Sequence, residues 1–273
     1  MDGRNIYEIC DYNVPYEISL GEAINKGMLV PFRYYGIYDD TDYSKLHVVK
    51  GHYTEKELNE TYLGNVHRHE LIYKYYNKYG SKRALGFCST REHAEEMAME
   101  FSRRGIPSAA VYSGAPGAYA EERNAAIEKL KSGEIRVIFS VDMFNEGVDI
   151  PSVDMVLFLR PTESPVVFLQ QLGRGLRRSA GKEYLTVLDF IGQANKKYNF
   201  EEKFAALLSN TTRSVSRELK EGFVSAPKGC YIQLEKYAAK YVLDNISASY
   251  DRASGLVARA AAFTEDTGLP LTL

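Results

Sequence analysis

The feature that most restricts this chain is an alternation. From Arg83 to Gly192, short apolar runs (RALGFCS, SAAVYSG, IRVIFS, VDMVLFL and YLTVLDFIG) take turns with segments of helical period. Runs this short and this apolar belong inside a parallel sheet covered by helices on both faces, built from right-handed βαβ units. The fold class expected is therefore α/β, an open parallel sheet over residues 31–200. Within it, STREHAEEMAMEFSRRG reads as a helix capped by Ser89, with Glu92 as capping-box partner and Gly105 as its end; YAEERNAAIEKLKSG reads as another.

The flanks differ. Residues 1–30 carry the amphipathic segment SLGEAINKGMLVPF, with Ser19 and Glu22 as a capping box and Pro31 as a block. PFRYYGIYDDTDY follows as an aromatic strand, and NVHRHELIYKYYNKYG as a tyrosine-rich helix that Gly80 stops. The spacing in IYKYYNKY fits packing more than a base-stacking platform. Beyond Gly192 the strand signal fades, and residues 201–273 read as a helical extension, CYIQLEKYAAKYVLDNIS included. With 34 Lys and Arg against 36 Asp and Glu there is no global basic field, so contact with nucleic acid requires a local stripe. The three cysteines form no C-x-x-C pair and read as reduced thiols. No apolar run reaches the ~20 residues that span a bilayer. These features point to a cytoplasmic protein without a membrane partner.

Against that near-neutral background, FLQQLGRGLRRS (residues 168–179) places three arginines in five positions. Ser164 and Pro165 make a cap and first-turn pair. At ~100° per residue, Phe168, Leu169, Leu172 and Leu176 share the buried side, while Gln170, Arg174 and Arg177 share another. Gly173 lies between, where a missing side chain lets backbone or ligand approach. Two guanidinium forks three residues apart suit a polyphosphate. Taken alone, such a pair also fits a solvated face salt-bridged to acids. Upstream, SVDMFNEGVDIPS supplies Ser140, Gly147 and Asp149 where a strand ends, the edge at which open α/β sheets bind ligands. The plain alternative is a βα loop with Asp142 as helix cap. Ser89, Thr90 and Arg91 open a helix after a strand, as a phosphate site would; Ser113 and Gly114 end the next strand.

Together and in this order, the segments resemble the second RecA-like domain of superfamily 2 DNA helicases and translocases of the restriction-motor and excision-repair kind. GFCSTRE is similar to motif IV, SVDMFNEGVDIP to motif V, and QQLGRGLRR to motif VI in its Q-x-x-G-R-x-x-R form. The resemblance implies that Arg174 and Arg177 are arginine fingers reaching the γ-phosphate of ATP. It places Gly147, Asp149 and Gln170 near the nucleotide, and Thr90, Arg91, Ser113, Gly114 and Ser140 along a nucleic-acid backbone. Ser140 stands where the family favours Thr, and the loop GAPGAYA departs from the common spacing. Residues 1–30 then correspond to the link from a first RecA-like domain, the partner that would hold most of the ATP and Mg2+. The implied substrate is DNA rather than RNA. No G-x-x-x-x-G-K-[ST] occurs; SAGKEY has the Gly-Lys pair without the upstream glycine or the following hydroxyl. A reading from another class is a non-catalytic RecA-like scaffold that binds nucleic acid or protein.

Overall fold

The computed structural model describes residues 18–42, 46, 48–49, 52–144, 150–160, 164–193, 199–209 and 211–250. In chain order these form α1 (Leu20–Asn25), β1 (Phe32–Asp42), β2 (Val48–Val49), β3 (His52–Tyr53), α2 (Glu55–Tyr62), α3 (Val66–Tyr79), β4 (Ala84–Phe87) and α4 (Arg91–Arg103). There follow β5 (Ser108–Val111), α5 (Arg123–Ser132), β6 (Val137–Ser140), β7 (Met155–Phe158), α6 (Pro165–Gly175) and β8 (Leu185–Gln193). The last elements are α7 (Phe200–Ala205), α8 (Val215–Glu221), β9 (Tyr231–Leu234) and α9 (Lys236–Tyr250).

Seven strands make one sheet in the order β5-β6-β4-β7-β8-β1-β9, and every pairing is parallel. The short strands β4 to β7 are buried at all four positions, the signature of strands covered on both faces. Successive side chains enter opposite cores. Leu85, Phe87, Val156 and Phe158 join one cluster, whereas Ala84, Met155 and Leu157 join the other. Tyr75 and Tyr76 are core residues and Tyr35 stacks on Tyr79, so these tyrosines serve packing.

Several helix ends follow the sequence. Ser19 accepts from the Glu22 amide, and Gly80, at φ 65°, closes α3. The cap of α4 is Thr90 and not Ser89: Thr90 has extended backbone angles and its side chain accepts from the His93 amide. β9 lies within a segment that reads as helix. Its four residues alternate exposed, buried, exposed, half-buried, a strand pattern too short to stand out against the helical run after it.

Residues on the two sides of position 200 share a core. Phe204, Val215, Phe223, Ile232, Val242 and Ile246 pack in the same cluster as Phe158 and Val187. The buried Lys203 ammonium on α7 pairs with the buried Asp189 carboxylate on β8, which also accepts from the Tyr34 hydroxyl on β1. Removing either charge strands the other in a low dielectric.

β4 and β6 are packed without spare room. A Cβ at Gly86 would stand 2.5 Å from Cδ1 of Phe139, itself fully buried. Gly86→Ala should destabilise the chain by about 1–3 kcal/mol in urea titration, because the ring has nowhere to turn.

Candidate functional site

Because all the strands run one way, the ends of β4 to β7 line up along a single edge of the sheet. Backbone bonds fix their spacing: Cys88 N–H to Ser140 O at 2.9 Å, Val141 N–H to Val111 O at 3.2 Å and Leu159 N–H to Phe87 O at 3.1 Å. Five of the expected site residues stand here, in two kinds of setting. Arg91, Ser113 and Gly114 are exposed. The Arg91 guanidinium lies over Gly114, where a Cβ would approach Nη1 to 2.7 Å. Thr90 and Ser140 are only 2% and 1% exposed. Thr90 Oγ1 donates to Asn59 Oδ1 at 2.5 Å while capping α4, so its hydroxyl is already committed. Asp142 caps no helix among the described residues; at φ 55° it pairs with Arg160 at 2.9 Å. Gly147 and Asp149 lie outside the described residues.

α6 carries the arginine pair away from that edge. Ser164 accepts from the Val166 amide with Pro165 in the first turn, and Phe168, Leu172 and Leu176 are fully buried. The helix runs back to the opposite edge of the sheet, where Gly175 packs against Leu185 at the start of β8. Gln170 and Arg174 are half-buried on this helix, and Arg177 is exposed just beyond its end. The close-packing glycine is Gly175, whose added Cβ would sit 2.6 Å from Leu185 Cδ1; at Gly173 a Cβ would meet nothing within 4 Å. Lys182 reaches back under this turn and donates to the carbonyls of Pro151, Gly175 and Arg177. Burial pulls its ammonium down to about 8, against an opposing pull from Asp154. No cluster of three or more His, Cys, Asp or Glu among the described residues has the arrangement of a metal site.

Residues 67–179, from α3 through the arginine segment, match the helicase conserved C-terminal domain family. The chain carries a helicase conserved C-terminal domain. A 51.5 kDa protein of a Lactococcus phage is 28% identical over 177 residues, covering 65% of this chain and 38% of the phage protein. IRC3 of Saccharomyces cerevisiae, named as a candidate ATP-dependent helicase, is 33% identical over 140 residues, covering 51% of this chain and 19% of IRC3. The chain thus spans well under half the length of these relatives. In fold it is similar to a fragment of a candidate HsdR subunit of a type I restriction enzyme from Vibrio vulnificus YJ016, with TM-score 0.53 and 20% identity over 69% of this chain and 37% of that one. The architecture is the RecA-like helicase fold. No helix among the described residues is long and apolar enough to cross a membrane.

Beneath the exposed edge of the helicase domain lies a buried charge cluster that sequence reading missed. Arg68, 1% exposed on α3, donates from Nε to Asp39 Oδ2 of β1 at 2.8 Å and from Nη2 to Leu159 O after β7 at 2.7 Å. Its Nη1 stands 3.3 Å from His93 Nε2 on α4, and the His93 ring stacks on Tyr62 at 4.3 Å. A guanidinium can only donate to Nε2, and the Ser89 N–H faces Nδ1 at 3.4 Å, so a donor stands at each ring nitrogen and the surroundings disfavour the doubly protonated, charged ring. Burial first, then the Arg68 charge, holds the His93 pKa well below the ordinary histidine range. Burial would raise the Asp39 carboxyl, but the Arg68 charge and the bonds from Thr41 and Arg68 outweigh it and hold it below the usual range. The signal was present: Arg68 is in helical register with Ile72, Tyr75 and Tyr76, all buried, so the periodicity sets an arginine on the apolar face.

Two outcomes follow for the helicase domain. As pH falls below the ordinary histidine value near ~6.5, the unfolded chain takes up a proton at His93 that the folded chain refuses, so stability drops by up to ~1.4 kcal/mol per pH unit from this group. Urea unfolding between pH 7 and 5 should therefore show a shallower loss for His93→Phe than for the parent. In the arginine helix, Gly173→Ala should raise stability by about 1 kcal/mol, whereas Gly175→Ala should lower it by forcing Leu185 aside; thermal melts distinguish the signs.

Proposed function

We propose that this chain is the C-terminal half of an ATP-dependent superfamily 2 helicase or translocase, working with a first RecA-like domain that carries the P-loop. The observation that carries the reading is the matched domain together with the build of α6. Buried Phe168, Leu172 and Leu176 anchor the helix, and Arg174 and Arg177 are left at its rim. Forked, permanently charged donors in that sequence fit phosphate oxygens. ATP and Mg2+ would be held mainly by the other domain, since this sequence has no P-loop glycine-lysine-hydroxyl run. Bound nucleotide supplies the free energy that drives the motor. This chain's share is to offset the charge that builds on the transferring phosphoryl group, through Arg174 and Arg177, with Gln170, Gly147 and Asp149 close by.

The second partner is nucleic acid, DNA in preference to RNA. Exposed Arg91, Ser113 and Gly114 supply the contacts to the phosphate backbone, which read no base sequence directly. Beneath them Thr90 caps α4, and the Ser140 carbonyl accepts from the Cys88 amide. Purified alone, the chain should show no nucleic-acid-stimulated ATP hydrolysis; mixed with the P-loop-bearing domain it should. In that assembly Arg174→Ala should cut kcat by ~10³ or more while single-strand binding survives. Turnover by the isolated chain, or full activity of Arg174→Ala, would refute the reading.

A further inference from the structure

The backbone that follows α6 has a problem of its own. A helix's last carbonyls lack intrahelical donors, and here they sit within the turn that bears the arginines. Three carbonyl oxygens meet one ammonium: Lys182 Nζ lies 2.5 Å from Gly175 O, 3.1 Å from Arg177 O and 2.9 Å from Pro151 O. A lysine has three N–H donors, so its capacity is filled by main chain alone. Two of the oxygens belong to the end of α6 and its following turn. The third belongs to Pro151, which comes two residues after Asp149 in the chain.

We infer that Lys182 is a positioning residue, a clamp that ties the arginine-bearing turn to Pro151 so that the turn and residues 150–153 move as one body. The inference rests on the proposed function for its catalytic consequence, although the clamp itself is a matter of geometry. The cation suits the place, since positive charge at a helix C-terminus is favourable. The turn is also held from its other side. Val30 N–H donates to Leu176 O at 2.9 Å, and Arg178 Nη1 donates to Gly27 O at 3.0 Å. Residues 27–30 are thus fastened to the turn, Leu176 is buried in the core, and Lys182 adds the polar tie to Pro151. Arg174 precedes Gly175 directly, and the carbonyl of Arg177 is itself one of the three acceptors. Loss of the ammonium would leave the carbonyls of Gly175, Arg177 and Pro151 without their shared donor.

Lys182 touches no reacting group in this account, so its removal should change placement rather than binding. In the full-length protein with its P-loop-bearing domain, Lys182→Met should lower kcat roughly 10- to 100-fold, as misplacement of catalytic groups by about an ångström does, with KM for ATP little changed. Lys182→Arg, which keeps charge and donors, should recover much of it. A second readout needs no activity. Amide hydrogen exchange of this chain should rise together at residues 174–178 and 150–153 in Lys182→Met, with β4 to β7 unmoved; Lys182→Gln serves the same comparison if the methionine variant does not fold. Faster exchange in one segment only, or in neither, overturns the clamp whatever the enzyme does. Joint loosening with unchanged kcat overturns the positioning role, provided Arg174→Ala abolishes turnover in the same assay. If Arg174→Ala is fully active, the proposed function fails, and joint loosening then leaves Lys182 as a clamp without a catalytic consequence.

Discussion

A guanidinium with no path to water must find all its acceptors inside the protein, and Arg68 finds them on different elements. The Asp39 carboxylate comes from β1, the Leu159 carbonyl from the end of β7, and the His93 nitrogen from α4. The contact therefore ties β1 to the end of β7, on the two sides of β8, and both to α4, whose first residue is Arg91. Tyr62, stacked on His93 and lying beneath Arg68 at 4.5 Å, fills the remaining space without demanding another charge.

The described residues singled out by motif fall into two groups. One group lines the edge where β4, β5 and β6 finish; the other rides α6 to the far side of the sheet. Thr90 is an interior fitting that ties α4 to Asn59, and the Ser140 hydroxyl is buried, whereas Arg91 and Ser113 on one side and Arg177 on the other are exposed.

Much of this was legible in the residues. Apolar runs such as VIFS and MVLF, buried at every position, announce interior parallel strands, and Ser19, Ser164 and Gly80 mark helix ends by local chemistry that needs no tertiary context. What stayed hidden depends on long-range partners. YIQL becomes a strand only because the edge of β1 is open to it. Lys182 looks like any loop lysine until three carbonyls converge on it. Gly173 and Gly175 are chemically identical in the sequence, and only the position of Leu185 tells them apart. Gln170 and Gln171 likewise differ in nothing but their angle on the helix, which leaves Gln171 in the interior.

Lys203 and its carboxylate on β8 have one further consequence. The match to the family closes at residue 179, ahead of β8, yet β8 is wedged between β7 and β1, and Lys203, Val242 and Ile246 complete its packing. The family match and the cooperative core therefore draw different borders on this polypeptide. A fragment trimmed to residues 67–179 would lose β8, β1 and β9 and bare the edge of β7, and should behave as a sticky, partly ordered species instead of a miniature of the parent.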